Sequence, residues 1–369
     1  MKKKSFIYKL IVAFIAIFVA LGGIELGIRL FLPSQRHLPM YHMDESGNHL
    51  LMPHLKLKYN QKEFSHDVIT NSSGFRNKKE LVNENLILFI GDSFTFGSGV
   101  DEEQHYSYIF DKLINWDEKK INVYNAGVPG YSTINQHIYI RDLVNRGLDI
   151  KKIFLGIDIS DFNENLLFPI YDVQDGRLVF STKEKKGPII KTLNFLAGNS
   201  ELVNFIYYRV VHSSFLKNYF ADIFKLKYFN INLPDKNLQL FAKNKNSVAE
   251  KKLATFREYL IKIIELCRSH DIELYVYYIP TIQEIYSKNY EDTLKTYNLN
   301  ADAFDMDFLN NYIKSVSLGH AARFIDIKKD MLKASDTSLY YLVDQHFNKY
   351  GNFIAGISLY KGYTNDKKQ

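Results

Sequence analysis

The run "NLILFIGDSFTFGSGV", residues 85–100, decides how this chain is read. Leu86 to Ile90 are apolar without interruption, a run of strand length. Such a run suits a strand covered on both faces, as in a parallel sheet. It stops at Gly91-Asp92-Ser93, with Gly97 and Gly99 close behind. A turn uses these residue types for backbone reasons. The carboxyl end of a strand in an open α/β sheet is also where sites collect. Ser93 is therefore a candidate nucleophile, at the start of a segment whose unpaired N–H groups point outward.

Working outward, strand-like runs alternate with helical periodicity. Strands are predicted at 121–124, 153–159, 272–279 and 322–325, and helices at 104–115, 133–146, 248–270, 302–317 and 349–360. This alternation implies an α/β fold, a three-layer α/β/α sandwich around a parallel sheet. Residues 166–245 break the rhythm. "YDVQDGRLVFS" reads as a hairpin about Asp175-Gly176, and an aromatic-rich, helical pattern follows. This segment is expected as a helical insertion completing the core, with a lid or a membrane-resting surface as the alternatives.

The N-terminus reads as a membrane segment. "MKKK" precedes a run, Leu10 to Ile24, that carries no charge. It reaches the roughly 20 residues that cross a bilayer once its flanks are included. No strong small-x-small cleavage site follows, so an uncleaved signal-anchor is expected, with the lysines cytoplasmic and the rest of the chain extracytoplasmic. The expected organisation is a signal-anchor over 1–33, a spacer over 34–63, the α/β domain over 64–362 with its insertion, and a polar tail over 363–369.

The chain has 369 residues, 46% hydrophobic and 24% charged, enough to bury a sizeable core. Its formal charge of +6 is modest, and no basic-aromatic repeat or zinc-finger spacing accompanies it, which argues against a nucleic-acid partner. Four histidines in 34–63 lack ligand spacing, so no metal and no organic cofactor is expected. The single cysteine, Cys267, lies in the helical pattern "YLIKIIELCRSH" and reads as a small core residue.

Acyl transfer at a serine needs a nucleophile, a base, a group that orients the base, and donors for the oxyanion. "VYNAGVPGYST" places Gly127 after a predicted strand, where the missing side chain lets a backbone N–H approach a substrate oxygen. "YLVDQHFNKYGNFIAG" places Asp344 and His346 two apart, just ahead of the last helix. In an extended segment that spacing puts both side chains on one side, although a direct hydrogen bond then needs a bend in the loop. The carboxylate would hold one imidazole nitrogen and leave the other to take the Ser93 proton.

Together "GDSFTFGSGV", "NAGVPGYS" and "DQHFNKYG" resemble the three blocks of the SGNH, or GDSL-type, hydrolase superfamily. "NSSGFRN" resembles the lead-in of its membrane-anchored bacterial members. The resemblance spans about 64–360 less the insertion. It implies a flavodoxin-like sandwich with Ser93, His346 and Asp344 as catalytic residues and Gly127 as an oxyanion donor. The family's remaining block carries Asn before Asp. Here "FLGIDISDFNEN" puts Ser160 where that Asn is expected, with Asn163 as a substitute. The expected function is a serine ester hydrolase acting on O-acyl groups, foremost O-acetyl, of an extracytoplasmic glycan. Two alternatives stand beside it. One is an O-acyltransferase using the same triad with a sugar hydroxyl as acceptor. The other is a non-catalytic domain that binds a glycan or a partner.

Overall fold

The computed structural model describes residues 2–31, 40–116, 120–167, 171–174, 177–180, 200, 202–203 and 238–366. The chain divides into two compact units, Met1–Pro39 with Thr182–Leu233, and Met40–Ser181 with Pro234–Gln369.

In the first unit, α1 runs from Lys2 to Phe31. Its stretch Val12–Phe31 is long and apolar enough to cross a membrane, with a mean hydropathy of 2.0. Phe14, Phe18, Val19 and Leu30 are all exposed along it. The charged residues near its end are satisfied locally. Glu25 pairs with Arg29 one turn on at 2.7 Å, and it accepts hydrogen bonds from Ser200 Oγ at 2.9 Å and the Leu202 N–H at 2.8 Å. Most of the segment expected as a helical insertion lies outside the described residues.

The second unit is built on a five-stranded parallel sheet. Its strands are β5 (Leu86–Ile90), β6 (Asn122–Asn125), β7 (Ile150–Ile157), β10 (Glu273–Tyr278) and β11 (Arg323–Ile325). The spatial order is β11-β10-β7-β5-β6. Counting these strands along the chain, that is 2-1-3-4-5, the flavodoxin-like order, with its switch point between β5 and β7. All five residues of β5 are buried. Alternate side chains serve opposite faces, as strand geometry requires. Leu86, Leu88 and Ile90 join the core beneath α4 (Thr133–Asn145), α5 (Ile159–Leu167), α7 (Ser247–Ser269) and α10 (Phe308–Gly319). Ile87 and Phe89 join the core beneath α3 (Tyr106–Ile114) and α12 (Lys349–Asp366). Each such side chain contributes about 1.5–3 kcal/mol by leaving water. Cys267 is buried in the first of these cores.

Two expectations need correction, and a third is met. Residues 34–63 are not a bare spacer, because the chain is folded from Met40 onward. Strands β1 (Tyr41–Met43) and β2 (His49–Leu51) form one antiparallel pair, and β3 (Lys56–Asn60) and β4 (Ser65–Ile69) another. Their strands are short and largely exposed, which hides the periodicity, yet Met40, Leu51 and Val68 bury a small core against Phe96. The tail expected at 363–369 is helical through Asp366, because Tyr363 packs against Phe110, Phe154 and Tyr275. Strands β8 (Tyr171–Gln174) and β9 (Arg177–Phe180) pair antiparallel with Gln174 opposite Arg177, as a two-residue connection at 175–176 demands. The shorter helices α6 (Leu238–Phe241), α8 (Ile282–Ile285), α9 (Ser287–Tyr297) and α11 (Lys328–Lys333) complete the unit.

One buried cation secures the turn that leaves β5. After Ile90 the chain enters the single-turn helix α2 (Ser93–Phe96), and Gly97 ends it at φ 86°, in the left-handed region. Arg76, only 2% exposed, reaches into this turn. It donates to the carbonyls of Phe96, of Gly97 at 2.6 Å and of Val100 at 2.6 Å. A side chain at Gly97 would meet the Arg76 guanidinium at 2.6 Å, so glycine is needed here for space as well as for φ. Burial pulls Arg76 down to about 10, which leaves it protonated at neutral pH. Replacing Arg76 with Met should take the charged donor from three carbonyls, leave Val100 O without a partner among the described residues and lower stability by about 3 kcal/mol or more. A denaturant titration of the purified protein measures this, and an unchanged midpoint would show that Arg76 does not hold the turn.

Candidate active site

The carboxyl end of β5 delivers Ser93 as the first residue of α2, with Asp92 capping that helix from below. Asp92 Oδ1 accepts the Phe94 N–H at 2.9 Å. Among the described residues nothing accepts a hydrogen bond from the Ser93 N–H. The other half of the site arrives from the far end of the chain. His346 Nε2 lies 2.8 Å from Ser93 Oγ, across 253 positions of sequence. His346 Nδ1 lies 2.5 Å from Asp344 Oδ1. With its proton on Nδ1, the imidazole donates to Asp344 and accepts from the Ser93 hydroxyl. Phe94 packs against the imidazole at 4.7 Å between ring centroids.

The bend that this geometry needs is at Gln345, which adopts φ 67°. A left-handed residue between Asp344 and His346 turns side chains two apart toward each other. The loop is closed by two backbone bonds, Tyr341 N–H to His346 O at 2.9 Å and Gln345 N–H to Tyr341 O at 3.1 Å. It is also braced from the β3–β4 hairpin. The Glu63 carboxylate accepts three successive N–H groups, from Leu342 at 3.0 Å, Val343 at 2.9 Å and Asp344 at 2.7 Å. Tyr341 packs at a tilt against Phe64 and donates to Gly99 O at 2.7 Å, tying the loop to the turn after Ser93. Burial raises the Asp344 carboxyl, but the hydrogen bonds and charge of His346 outweigh it, and the net shift is downward. Asp344 is thus held ionised.

The expected oxyanion donors are placed differently. Gly127 makes the close approach its missing side chain allows, since a Cβ there would lie 2.3 Å from the Phe96 nitrogen. Its own N–H, however, donates to Asn125 Oδ1 at 3.0 Å. Asn163 is turned away into α5 and its neighbours. Its Nδ2 donates to Ile159 O at 3.2 Å, and its Oδ1 accepts from Lys252 at 2.6 Å. Ser160 does lie near Ser93, its hydroxyl donating to Asp92 Oδ2 at 3.1 Å. The strand expected to run to Ile159 ends at Ile157, so the first side chain beyond it is Asp158. The expected strand overruns by two residues and so takes in Asp158.

Four carboxyls crowd this end of the sheet. Asp92, Asp158 and Asp161 are almost fully buried, and Glu164 lies beside them. Asp161 Oδ2 accepts the Asp158 N–H at 2.9 Å, and its Oδ1 accepts from Gln136 at 2.7 Å. Asp158 Oδ1 accepts the Ser160 N–H at 2.7 Å. Among the described residues none of the three aspartates forms a salt bridge. Burial first, and the Asp158 charge second, drives Asp92 and Asp161 well above the carboxylate range. Burial also raises Asp158. Glu164 is pushed up to about 8 by burial and then by Asp158. Among the described residues no group of three or more His, Cys, Asp or Glu is arranged to hold a metal ion.

No family model matches the chain, and no curated protein matches it. Among solved structures it is similar to a member of the lipolytic protein G-D-S-L family from Veillonella parvula, at 14% identity and a TM-score of 0.40, covering 76% of this chain and 98% of that one. A psychrotrophic esterase from Pseudoalteromonas sp. gives 10% identity and a TM-score of 0.41, covering 78% and 100%. An acetylxylan esterase from Geobacillus stearothermophilus gives 12% and 0.41, covering 77% and 96%.

Removing the Glu63 carboxylate should release three amides at once. In Glu63→Ala the Leu342, Val343 and Asp344 amides are expected to exchange hydrogen at least tenfold faster, as ~1.4 kcal/mol of lost protection implies. Unchanged exchange would mean that the hairpin does not brace the loop. The acid cluster should show in the pH dependence of stability. An acid whose folded-state value is raised binds its proton more tightly when folded, so its contribution is present below the unfolded value of about 4.3 and is lost as pH rises toward the folded value. For Glu164 that loss extends to about 8. The melting temperature should therefore fall less between pH 5 and pH 8 in Glu164→Gln than in wild type. An identical fall would show that Glu164 ionises normally in the folded protein.

Proposed function

We propose that the chain is a serine ester hydrolase of the SGNH type. It removes O-acyl groups, foremost O-acetyl, from an extracytoplasmic glycan, and α1 is its signal-anchor. The observation that carries this reading is the continuous hydrogen-bonded series from Ser93 Oγ through His346 to Asp344, at 2.8 and 2.5 Å. It sits at the switch point of the sheet, where the crevice of an open α/β fold lies.

In this reading His346 Nε2 takes the Ser93 proton as Oγ attacks the ester carbonyl carbon. Asp344 holds the imidazole in its tautomer and stabilises the imidazolium that forms. The tetrahedral intermediate collapses as His346 returns the proton to the departing sugar oxygen, leaving an acyl-Ser93. Water, deprotonated by the same nitrogen, then attacks the acyl carbon and releases the acid. The Ser93 N–H and the Ser160 hydroxyl are the donors nearest the developing oxyanion. The glycan follows from the anchor, because acylated polymers are the esters at hand beyond the membrane.

A fluorophosphonate probe tests the nucleophile directly. Wild type should be labelled, Ser93→Ala should not, and His346→Ala should lose about 10³–10⁴ in rate, with Asp344→Asn losing less. Equal labelling of wild type and His346→Ala would defeat the role of the imidazole. Acetylated oligosaccharide then distinguishes the acceptor, since free acetate marks water and acetyl transfer to a second sugar marks a transferase.

A further inference from the structure

An acyl-transfer site needs donors for its oxyanion, and the amide side chain expected here is absent. Gly127 N–H and Asn163 are both occupied elsewhere, as described above. What stands beside the nucleophile instead is a carboxyl group. Asp92 is 2% exposed, and its two oxygens have different surroundings. Oδ1 is claimed as an acceptor by the Phe94 N–H at 2.9 Å. Oδ2 lies 3.3 Å from Ser93 Oγ and 3.1 Å from Ser160 Oγ. With Oδ1 taken, a proton on this group sits on Oδ2, where Ser93, Ser160 and the hydrogen-bonded Asp158 carboxyl are the partners within reach.

We propose that Asp92 is a further catalytic residue that works as a neutral carboxylic acid. Its Oδ2–H, together with the Ser160 hydroxyl, takes the place of the missing amide in stabilising the oxyanion. The acid donates a hydrogen bond and keeps its proton, so no proton is transferred to the substrate. This inference rests on the ester-hydrolase reading and says how that site manages its charge. An ionised Asp92 would do the opposite, placing a negative charge against a second one developing on the substrate.

The surroundings favour the neutral form. From the end of β7 and from α5, Asp158, Asp161 and Glu164 present carboxyls to Asp92, and each opposes its ionisation. From α3 and β10, the buried hydroxyls of Tyr106 and Tyr277 feel its charge and bring no positive one. From the last loop, His346 lies across Ser93, where a protonated imidazole would favour ionisation. Two contacts oppose the trend, the Phe94 N–H and the Ser160 hydroxyl, and burial outweighs both.

The consequence is a decline in ester hydrolysis on the alkaline side, because rising pH removes a donor and adds a negative charge in one step. The test compares Asp92→Asn and Asp92→Ala with wild type, as the full chain, by kcat/KM on an aryl acetate and by fluorophosphonate labelling from pH 5 to pH 10. Asp92→Asn keeps an acceptor for the Phe94 N–H and a donor on the other side, but cannot ionise. It should retain about a tenth of wild-type kcat/KM and lose the alkaline decline, while Asp92→Ala falls by about 10²–10³. The loss should lie in kcat, with KM little changed. An alkaline decline that survives unmoved in Asp92→Asn, or an Asp92→Asn protein that melts normally yet is as inactive as Asp92→Ala, overturns the role of Asp92 while leaving the esterase standing. A wild-type chain that takes no label and cleaves no ester at any pH sinks the ester-hydrolase reading, and this proposal with it.

Discussion

The arrangement depends on where the sheet changes direction. The segments that leave β5 and β7, neighbours in the sheet, go to opposite faces. α3 packs beneath one core and α5 beneath the other. Two chain segments that diverge from adjacent strand ends leave a cleft between them, and no side chain has to be removed to make it. Ser93 enters that cleft from one side and Asp158 to Ser160 from the other. His346 closes it from above, because the chain returns over β5 just before its last helix.

Holding such a cleft open requires polar groups where the core would otherwise be apolar, and the protein handles the two sides differently. Around the turn after Ser93 the excess is of carbonyl oxygens, and Arg76 satisfies them with one buried cation. Around the His346 loop the excess is of N–H groups, and Glu63 satisfies three of them with one carboxylate. Beneath Ser93 the excess is of carboxyls, and among the described residues no cation pairs with Asp92, Asp158 or Asp161. There burial opposes the ionisation of each acid, and Asp158 adds its charge against Asp92, Asp161 and Glu164. A group of acids raised in this way costs stability as pH rises, which is a cost accepted more readily at a site than in a scaffold.

The strands and helices of the sheet were largely legible, since "LILFI" and its counterparts carry unbroken apolar runs that only a doubly covered strand accommodates. The hairpins at 41–69 were not, because short strands with one exposed face leave too few residues to show a period. Arg76 sits in the quoted "NSSGFRN", but a lone arginine reads as surface until the carbonyls it serves are seen. Glu63 was hidden for the same reason. Asp158 was lost to an error of two residues in a strand end, which is the scale on which such boundaries are uncertain.

Residue type and order alone determined that this chain folds around a parallel sheet, that a hydroxyl follows its first core strand, and that a carboxylate and an imidazole precede its last helix. These follow from local spacing, which the sequence carries in full. Only the tertiary structure decided that Ser93 and His346 meet at 2.8 Å, that the Gly127 and Asn163 donors are spent on other partners, and that the Asp92 carboxyl stands beside Ser93 Oγ. The reason is physical: hydrogen bonds and burial are set by which groups the fold brings within about 3 Å, and groups 253 positions apart have no local relationship from which that can be read.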